Sequence, residues 1–181
     1  MHAPSPAAIS RLDPDQAERA LPDLARLLHA CVHAGASVNF VMPFPPAEAE
    51  AFWRLKVLPS MWEGSRMLLV AEVEGRLAGT VQLATDTPPN QPHRADVSKL
   101  LVHPDARRRG VGRALMAEIE TLAEEAGRTL LTLDTRTGDA AEPLYASLGY
   151  VTAGTIPGYC RDPFEDRLDA TTIMYKALGG S

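Results

Sequence analysis

Much of what this chain lacks bears on what it does. It holds two cysteines, Cys31 and Cys160, set far apart. That is too few for a disulfide framework, and the spacing matches no cysteine metal site. No apolar run is long enough to span a bilayer, and the opening MHAPSPAAIS has neither the basic stretch nor the apolar core of a secretion signal. A surplus of positive charge is also missing. Lys and Arg number 18 against 23 Asp and Glu, for a net charge of -5. That balance argues against non-specific nucleic-acid binding and leaves room only for a local basic patch. Neither an internal repeat nor a low-complexity segment is visible. The expectation is a soluble, cytoplasmic protein with no nucleic-acid or membrane partner. At 181 residues, 45% hydrophobic and 23% charged, it is expected to form one domain over residues 1–181 with a proper core.

The most informative stretch present is Ala95 to Ala114, ADVSKLLVHPDARRRGVGRA. An alternating, β-branched run (Val97, Leu100, Leu101, Val102) breaks at His103-Pro104-Asp105. The turn Arg107-Arg108-Arg109-Gly110-Val111-Gly112 follows. Beyond it Val111, Leu115, Ile119, Leu122 and Ala126 recur every three or four residues, the stripe of an amphipathic helix. Strand, tight turn and helix let the first helical N–H groups converge on one anion, with arginines adding charge-assisted contacts. This reads as a diphosphate cradle. A Walker loop is excluded because no Gly-Lys-Ser/Thr follows, and a dinucleotide fingerprint because Leu115 stands where a third small residue is needed. Three arginines alone would otherwise read as a solvated helix start.

Arg107-x-x-Gly110-x-Gly112, after a strand ending Leu100-Leu101-Val102-His103-Pro104, resembles the acetyl-CoA site of the GNAT N-acetyltransferases. The resemblance implies that the loop amides hold the CoA pyrophosphate and that the strand backbone pairs with the pantetheine arm. Leu100, Leu101, Val102, Arg107, Arg108, Arg109, Gly110, Val111, Gly112 and Arg113 are then the cofactor-binding residues. It implies acetyl-CoA as cosubstrate, no metal, a small-molecule amine as acceptor, and room for a homodimer. A backbone N–H near Val102 would stabilise the thioester oxygen. A second block, Pro143-Leu144-Tyr145-Ala146-Ser147-Leu148-Gly149-Tyr150, is similar to the family's Leu-Tyr-x-x-x-Gly-Phe/Tyr. It nominates Tyr145 as the proton donor beside the CoA sulfur, against a bland reading as a core tyrosine.

Asp96 and Asp134 are the candidate bases, one opening the central strand and one ending the next. If those strands are neighbours, both carboxylates could face one cleft and attract an ammonium. A strand-end Asp134 could equally cap a turn. Asp139 is expected to cap the helix after it. A closer resemblance within the family runs over nearly the whole chain, to acetyltransferases of a β-lactam amino-acid toxin. It rests on Gly35-Ala36-Ser37-Val38-x-Phe40, Arg94-Ala95-Asp96-Val97-x-Lys99-Leu100, Leu133-Asp134-Thr135 and Pro157-Gly158-Tyr159-Cys160. There the catalytic carboxylates are a Glu at the position of Asp96 and an Asp at that of Asp134, so Asp96 is one methylene short. Ser37, Phe40 and Tyr159 are the expected substrate-binding residues, from the Gly35–Phe40 and Pro157–Cys160 loops. His29 and His33 have metal-like spacing without a third ligand.

Along the chain we expect a strand at 9–12 and a helix from Asp13-Pro14 to about His33, kinked or restarted at Pro22. A helix over 47–62 and a hairpin turning at Glu74-Gly75 follow. After the cradle helix come a strand at 129–134, a helix at 140–148 and strands at 150–155 and 168–176. That order gives an α/β fold, a mixed central β-sheet with helices on both faces, as in the GNAT fold. The expected activity is direct acetyl transfer from acetyl-CoA to a small amino-acid-like amine, with detoxification as its purpose. The alternatives are a protein N-terminal or lysine acetyltransferase, and a non-catalytic acyl-CoA-binding sensor.

Overall fold

The computed structural model describes residues 7–179. Its strands are β1 (Ala8–Leu12), β2 (Arg66–Val73), β3 (Arg76–Ala84), β4 (Arg94–Val102), β5 (Leu130–Arg136), β6 (Val151–Arg161) and β7 (Leu168–Ala177). They form one seven-stranded sheet in the order β1-β2-β3-β4-β5-β7-β6. Every pairing is antiparallel except β4 with β5. The parallel pair needs a crossover, and α5 (Val111–Glu125) supplies it. The mixed sheet with helices on both faces is therefore the fold expected from the order of elements.

Alternation along β2 shows how the layers form. Leu69, Ala71 and Val73 pack into the core beneath α5, with Leu115, Met116 and Ile119. Leu68 and Val70 point the other way, into a core built by the N-terminal helices. Those helices are α1 (Pro14–Arg19), α2 (Leu21–His33), α3 (Pro46–Phe52) and α4 (Leu58–Trp62). Asp13 caps α1 in a reciprocal box with Gln16. Pro22 falls in the first turn of α2, so it restarts the helix rather than kinking it. The expected helix at 47–62 is interrupted by a π-helical turn, Trp53–Val57. Pro59 has no N–H to bond backward, and the Leu58 N–H reaches Trp53 O instead.

α5 lies very close to the sheet where it crosses Gly79 of β3. A Cβ there would sit 2.8 Å from Leu101 O and 3.0 Å from Leu115 Cδ1. A residue larger than glycine would push the helix off the strand. At the other end of the sheet, α6 (Ala141–Ser147) leans on β5. Strand β6 runs to Arg161, so Pro157–Cys160 is part of a strand and not the loop expected. Its pairing with β7 is irregular between Ile156 and Cys160. The proline, which cannot donate to the ladder, lies within that irregular stretch.

Candidate active site

The turn before α5 is bent by two residues in the left-handed region, Arg108 at φ 61° and Gly110 at φ 80°. Gly110 takes that conformation without the Cβ penalty. No side chain caps α5, and Ala114 is the first residue whose N–H finds a backbone carbonyl, Gly110 O at 3.0 Å. The preceding N–H groups face outward with the positive end of the helix behind them. Gly112 sits where a Cβ would come 3.2 Å from Leu144 Cδ2 and 3.7 Å from Val102 Cγ2. Space at that point is limited to backbone.

The cradle opens into a cavity of about 680 Å³. Its origin is in the sheet. β4 and β5 pair only over Arg94–Asp96 with Leu130–Thr132, although both strands continue well beyond. They part after Asp96, and the β4 edge from Val97 to Val102 lines the gap. A bulge in the β3–β4 ladder falls between Gln82↔Ser98 and Thr80↔Leu101. Lys99 is the inserted residue, at φ 52°. Its carbonyl accepts from Thr80 Oγ1 at 3.2 Å. The Val102 carbonyl is engaged by the Cys31 thiol and by Arg107 Nε, each at 3.4 Å. Burial pushes the Cys31 thiol up to about 11, although Arg107 and the Val102 carbonyl pull the other way.

At the far side of the gap stand Asp134, Tyr145, Lys99 and Arg136, all lining the cavity. Asp134 lies inside β5 and is exposed to the cleft, accepting weakly from Thr171 Oγ1 at 3.3 Å. Tyr145 is 6% exposed. Burial and the Asp134 charge both raise its phenol above the ordinary value. Burial lowers the Lys99 ammonium, Asp134 pulls it back up, and Arg66 adds to the lowering. Arg136 ties the neighbouring segments together. It donates to Asp139 Oδ1 at 2.9 Å, to Asp162 Oδ2 at 3.3 Å and to the Gly35 carbonyl at 3.1 Å, with Asp169 at 3.5 Å. Burial opposes its charge, but the hydrogen bond and charge of Asp139, with Asp169 and Asp162, hold its pKa raised.

Most residues nominated from sequence come together here. Leu100, Leu101, Val102, Arg107, Arg108, Gly110, Val111, Gly112 and Arg113 line the cavity with Ser37, Asp134 and Tyr145. Arg113 also donates to Ser147 Oγ at 2.7 Å, joining α5 to α6. Others stand apart. Arg109 turns away to Glu74 of the hairpin, 3.3 Å distant. Asp96 shares a face with Asp134 but is not in the lining, and its Oδ1 is taken by Arg94 and Thr132. Phe40 packs in the helical layer against Phe44 and Phe52, at 4.6 and 5.2 Å between ring centroids. Tyr159 is 53% exposed on β6, outside the lining. Asp139 does not cap α6, whose N-cap is Ala140, because its carboxylate is committed to Arg136. His29 and His33 stack on each other, and no trio of potential metal ligands occurs among the described residues.

Lys99 and Arg136 were not singled out from sequence. Lys99 lies within the informative stretch, but an extended strand would have sent its side chain to the opposite face; only the bulge brings it into the cleft. Nothing local marks Arg136, whose partners come from four separate segments.

The sheet and cleft together define a class of fold: a mixed α/β sheet whose one parallel pair splits beside the open amides of α5. Residues 33–150 match the Acetyltransferase (GNAT) family. An uncharacterized N-acetyltransferase of Azospirillum brasilense is 31% identical over 126 residues, 68% of this chain and 72% of that protein. The chain belongs to the GNAT family and is an acetyl-CoA-dependent N-acetyltransferase. Among solved structures, a ribosomal-protein-alanine N-acetyltransferase of Brucella melitensis superposes with a TM-score of 0.75 at 24% identity, over 94% of this chain and 99% of that one. The yncA protein of Salmonella typhimurium, solved with acetyl-CoA, gives 0.76 at 18%, over 98% and 96%. At those identities the likeness concerns the fold. No described helix is long and apolar enough to cross a membrane.

Proposed function

We propose that the protein transfers acetyl to the amine of a small amino-acid-like molecule, with Asp134 and Tyr145 as the reacting side chains. The parting of β4 from β5 directly beside the cradle carries this reading. The residues present fit acetyl-CoA: the α5 amides are open to a diphosphate, and Gly112 keeps the approach clear of side chain. Arg107, Arg108 and Arg113 would hold the phosphates. The free β4 edge would pair with the amide-bearing arm. When bound, the cosubstrate supplies an activated thioester to the gap.

Asp134 takes the proton from the acceptor's ammonium, leaving a neutral amine to form the new C–N bond as the C–S bond breaks. A backbone N–H of the β4 edge, fixed by the bulge, faces the developing oxyanion. The raised pKa of Tyr145 keeps the phenol protonated throughout the working range. It therefore serves as a neutral hydrogen-bond donor to the departing thiolate, which is protonated from solvent while the new amide nitrogen releases its second proton to solvent. Asp96, held by Arg94 and Thr132, orients the base of the split rather than acting on substrate.

A small acceptor is favoured because Arg136 ties the Gly35 carbonyl and three aspartates across that end of the cleft. The resemblance to tabtoxin resistance protein, on the stretches around Ser37, Asp96, Asp134 and Tyr159, points to the same acceptor class and to resistance as the role. Thiol release measured with acetyl-CoA against free amino acids, amino-acid β-lactams, polyamines and peptides tests this. Turnover confined to small amino-acid-like amines is expected; turnover of peptides alone would replace this reading with protein acetylation.

A further inference from the structure

Lys99 is the least explained charge in the cleft. Its ammonium makes no hydrogen bond or ion pair with any described residue, and the side chain is half-buried in the cavity wall. Its Nζ lies over the Phe52 ring, 5.6 Å from the centroid, a cation–π contact that orients the ammonium but supplies no counter-charge. Lysine at positive φ is also uncommon, since its Cβ is strained there and Gly or Asn would adopt the bulge more readily. A half-buried ammonium without an ion-paired carboxylate is costly, and in a binding cleft that carboxylate can come with the ligand.

The same face of the sheet carries two more unused donors. Arg66 Nη1 donates to Gln82 Oε1 at 2.7 Å, which leaves Arg66 Nε and Gln82 Nε2 buried with no partner. Gln82 is wholly buried and lies in register with Ser98, a cavity-lining neighbour of Lys99. Donors and the Lys99 charge therefore lie on the β2–β4 side of the gap, and the carboxylate of Asp134 lies on the β5 side, where the neighbouring Arg136 is already paired with Asp139, Asp162 and Asp169. Such a site is divided by charge, one end for an anion and one for an ammonium.

We propose that Lys99 selects the acceptor by receiving its carboxylate, with the Arg66–Gln82 pair reinforcing the field behind it, while Asp134 receives the amine. The substrate class is then a zwitterion, a free amino acid or close analogue, and neither a polyamine nor an internal peptide lysine fits. This rests on the small-amine reading above and adds the anionic group to it.

Calorimetry on the intact protein with CoA present reads the proposal without any turnover. Matched pairs are titrated: 2,4-diaminobutyrate against 1,3-diaminopropane, and lysine against cadaverine and lysine methyl ester. At least one acid is expected to bind roughly 10- to 100-fold more tightly than its carboxylate-free partners, the range of a charge-assisted hydrogen bond in a desolvated site. Lys99→Met is expected to erase that difference while leaving acetyl-CoA affinity unchanged, and Lys99→Arg to restore part of it. Equal binding of acid and amine by the parent protein, retained discrimination in Lys99→Met, or no binding by any pair would each overturn the assignment. Thiol release is followed in parallel. Selective binding of acids without release upholds Lys99 and removes these acids as acetyl acceptors, whereas release with cadaverine as fast as with lysine removes Lys99 and keeps the small-amine reading.

Discussion

The two ends of the cleft are built on opposite principles. The cradle end is local: the strand exit, the turn and the first helical turn fall within Leu100 to Arg113, and the groups it leaves open are backbone amides set by Gly110 and Arg108. The other end, the proposed acceptor end, is assembled from afar. Lys99 comes from β4, Asp134 and Arg136 from β5, Tyr145 from α6 and Ser37 from the segment after α2. A binding site made of consecutive amides tolerates side-chain drift. One made of separated side chains allows a new substrate without disturbing the other end.

Substitutions can test how independent the ends are. The largest effect is expected from Gly112→Asp, which places a side chain against Leu144 and a negative charge at the start of α5. Acetyl-CoA affinity should fall by more than about 100-fold, since a lost helix-end site is compounded by repulsion of the diphosphate. Unchanged affinity by calorimetry would show that the diphosphate binds elsewhere. Asp134→Asn attacks the other end. Turnover should drop by roughly 100-fold, within the usual range for a general base, at unaltered acetyl-CoA affinity. By contrast Asp96→Asn should change turnover by less than about threefold, because that carboxylate is already taken by Arg94 and Thr132. The reverse ranking would make Asp96 the base.

Tyr145→Phe keeps the ring packed against Tyr150, 5.8 Å between centroids, and removes only the hydroxyl. A turnover loss of about tenfold without a change in KM is expected for one hydrogen bond to the leaving group. A rise in KM alone would make Tyr145 a packing residue. The smallest effect concerns Cys31, on the cradle side. Its thiol pKa rises from 9.0 to about 11 on folding, so between those values the native chain keeps a proton that the unfolded chain has lost. Stability should therefore be unaffected below pH 9 and decline as pH rises toward 11, by at most ~1.4 kcal/mol per pH unit. Melting curves of Cys31→Ala over that window should fall less steeply than those of the parent; identical slopes would remove Cys31 from the account.

Legibility followed the same division. The cradle could be read because strand, turn and helix carry their signals in consecutive residues: β-branched alternation, Gly110 and Gly112, then the stripe from Val111 to Leu122. Tyr145 and Asp134 were nominated with their elements correctly typed, although β5 continues past Asp134 to Arg136. Phe40 and Tyr159 fall outside the cavity lining, since an aromatic near the right loop carries no information about which layer it packs in. Arg109 misled because three adjacent arginines look alike until the turn sends one of them to Glu74.

By itself the sequence determined the alternation of elements, the strand–turn–helix around Gly110 and hence the GNAT family, because each depends on the period and spacing of neighbouring residues. Only the tertiary structure decided where β4 and β5 part, which way Lys99 faces across its bulge, and that Arg136 gathers Asp139, Asp162, Asp169 and Gly35 into one wall. Those features depend on strand register and on contacts between residues up to 101 positions apart, which no local pattern encodes.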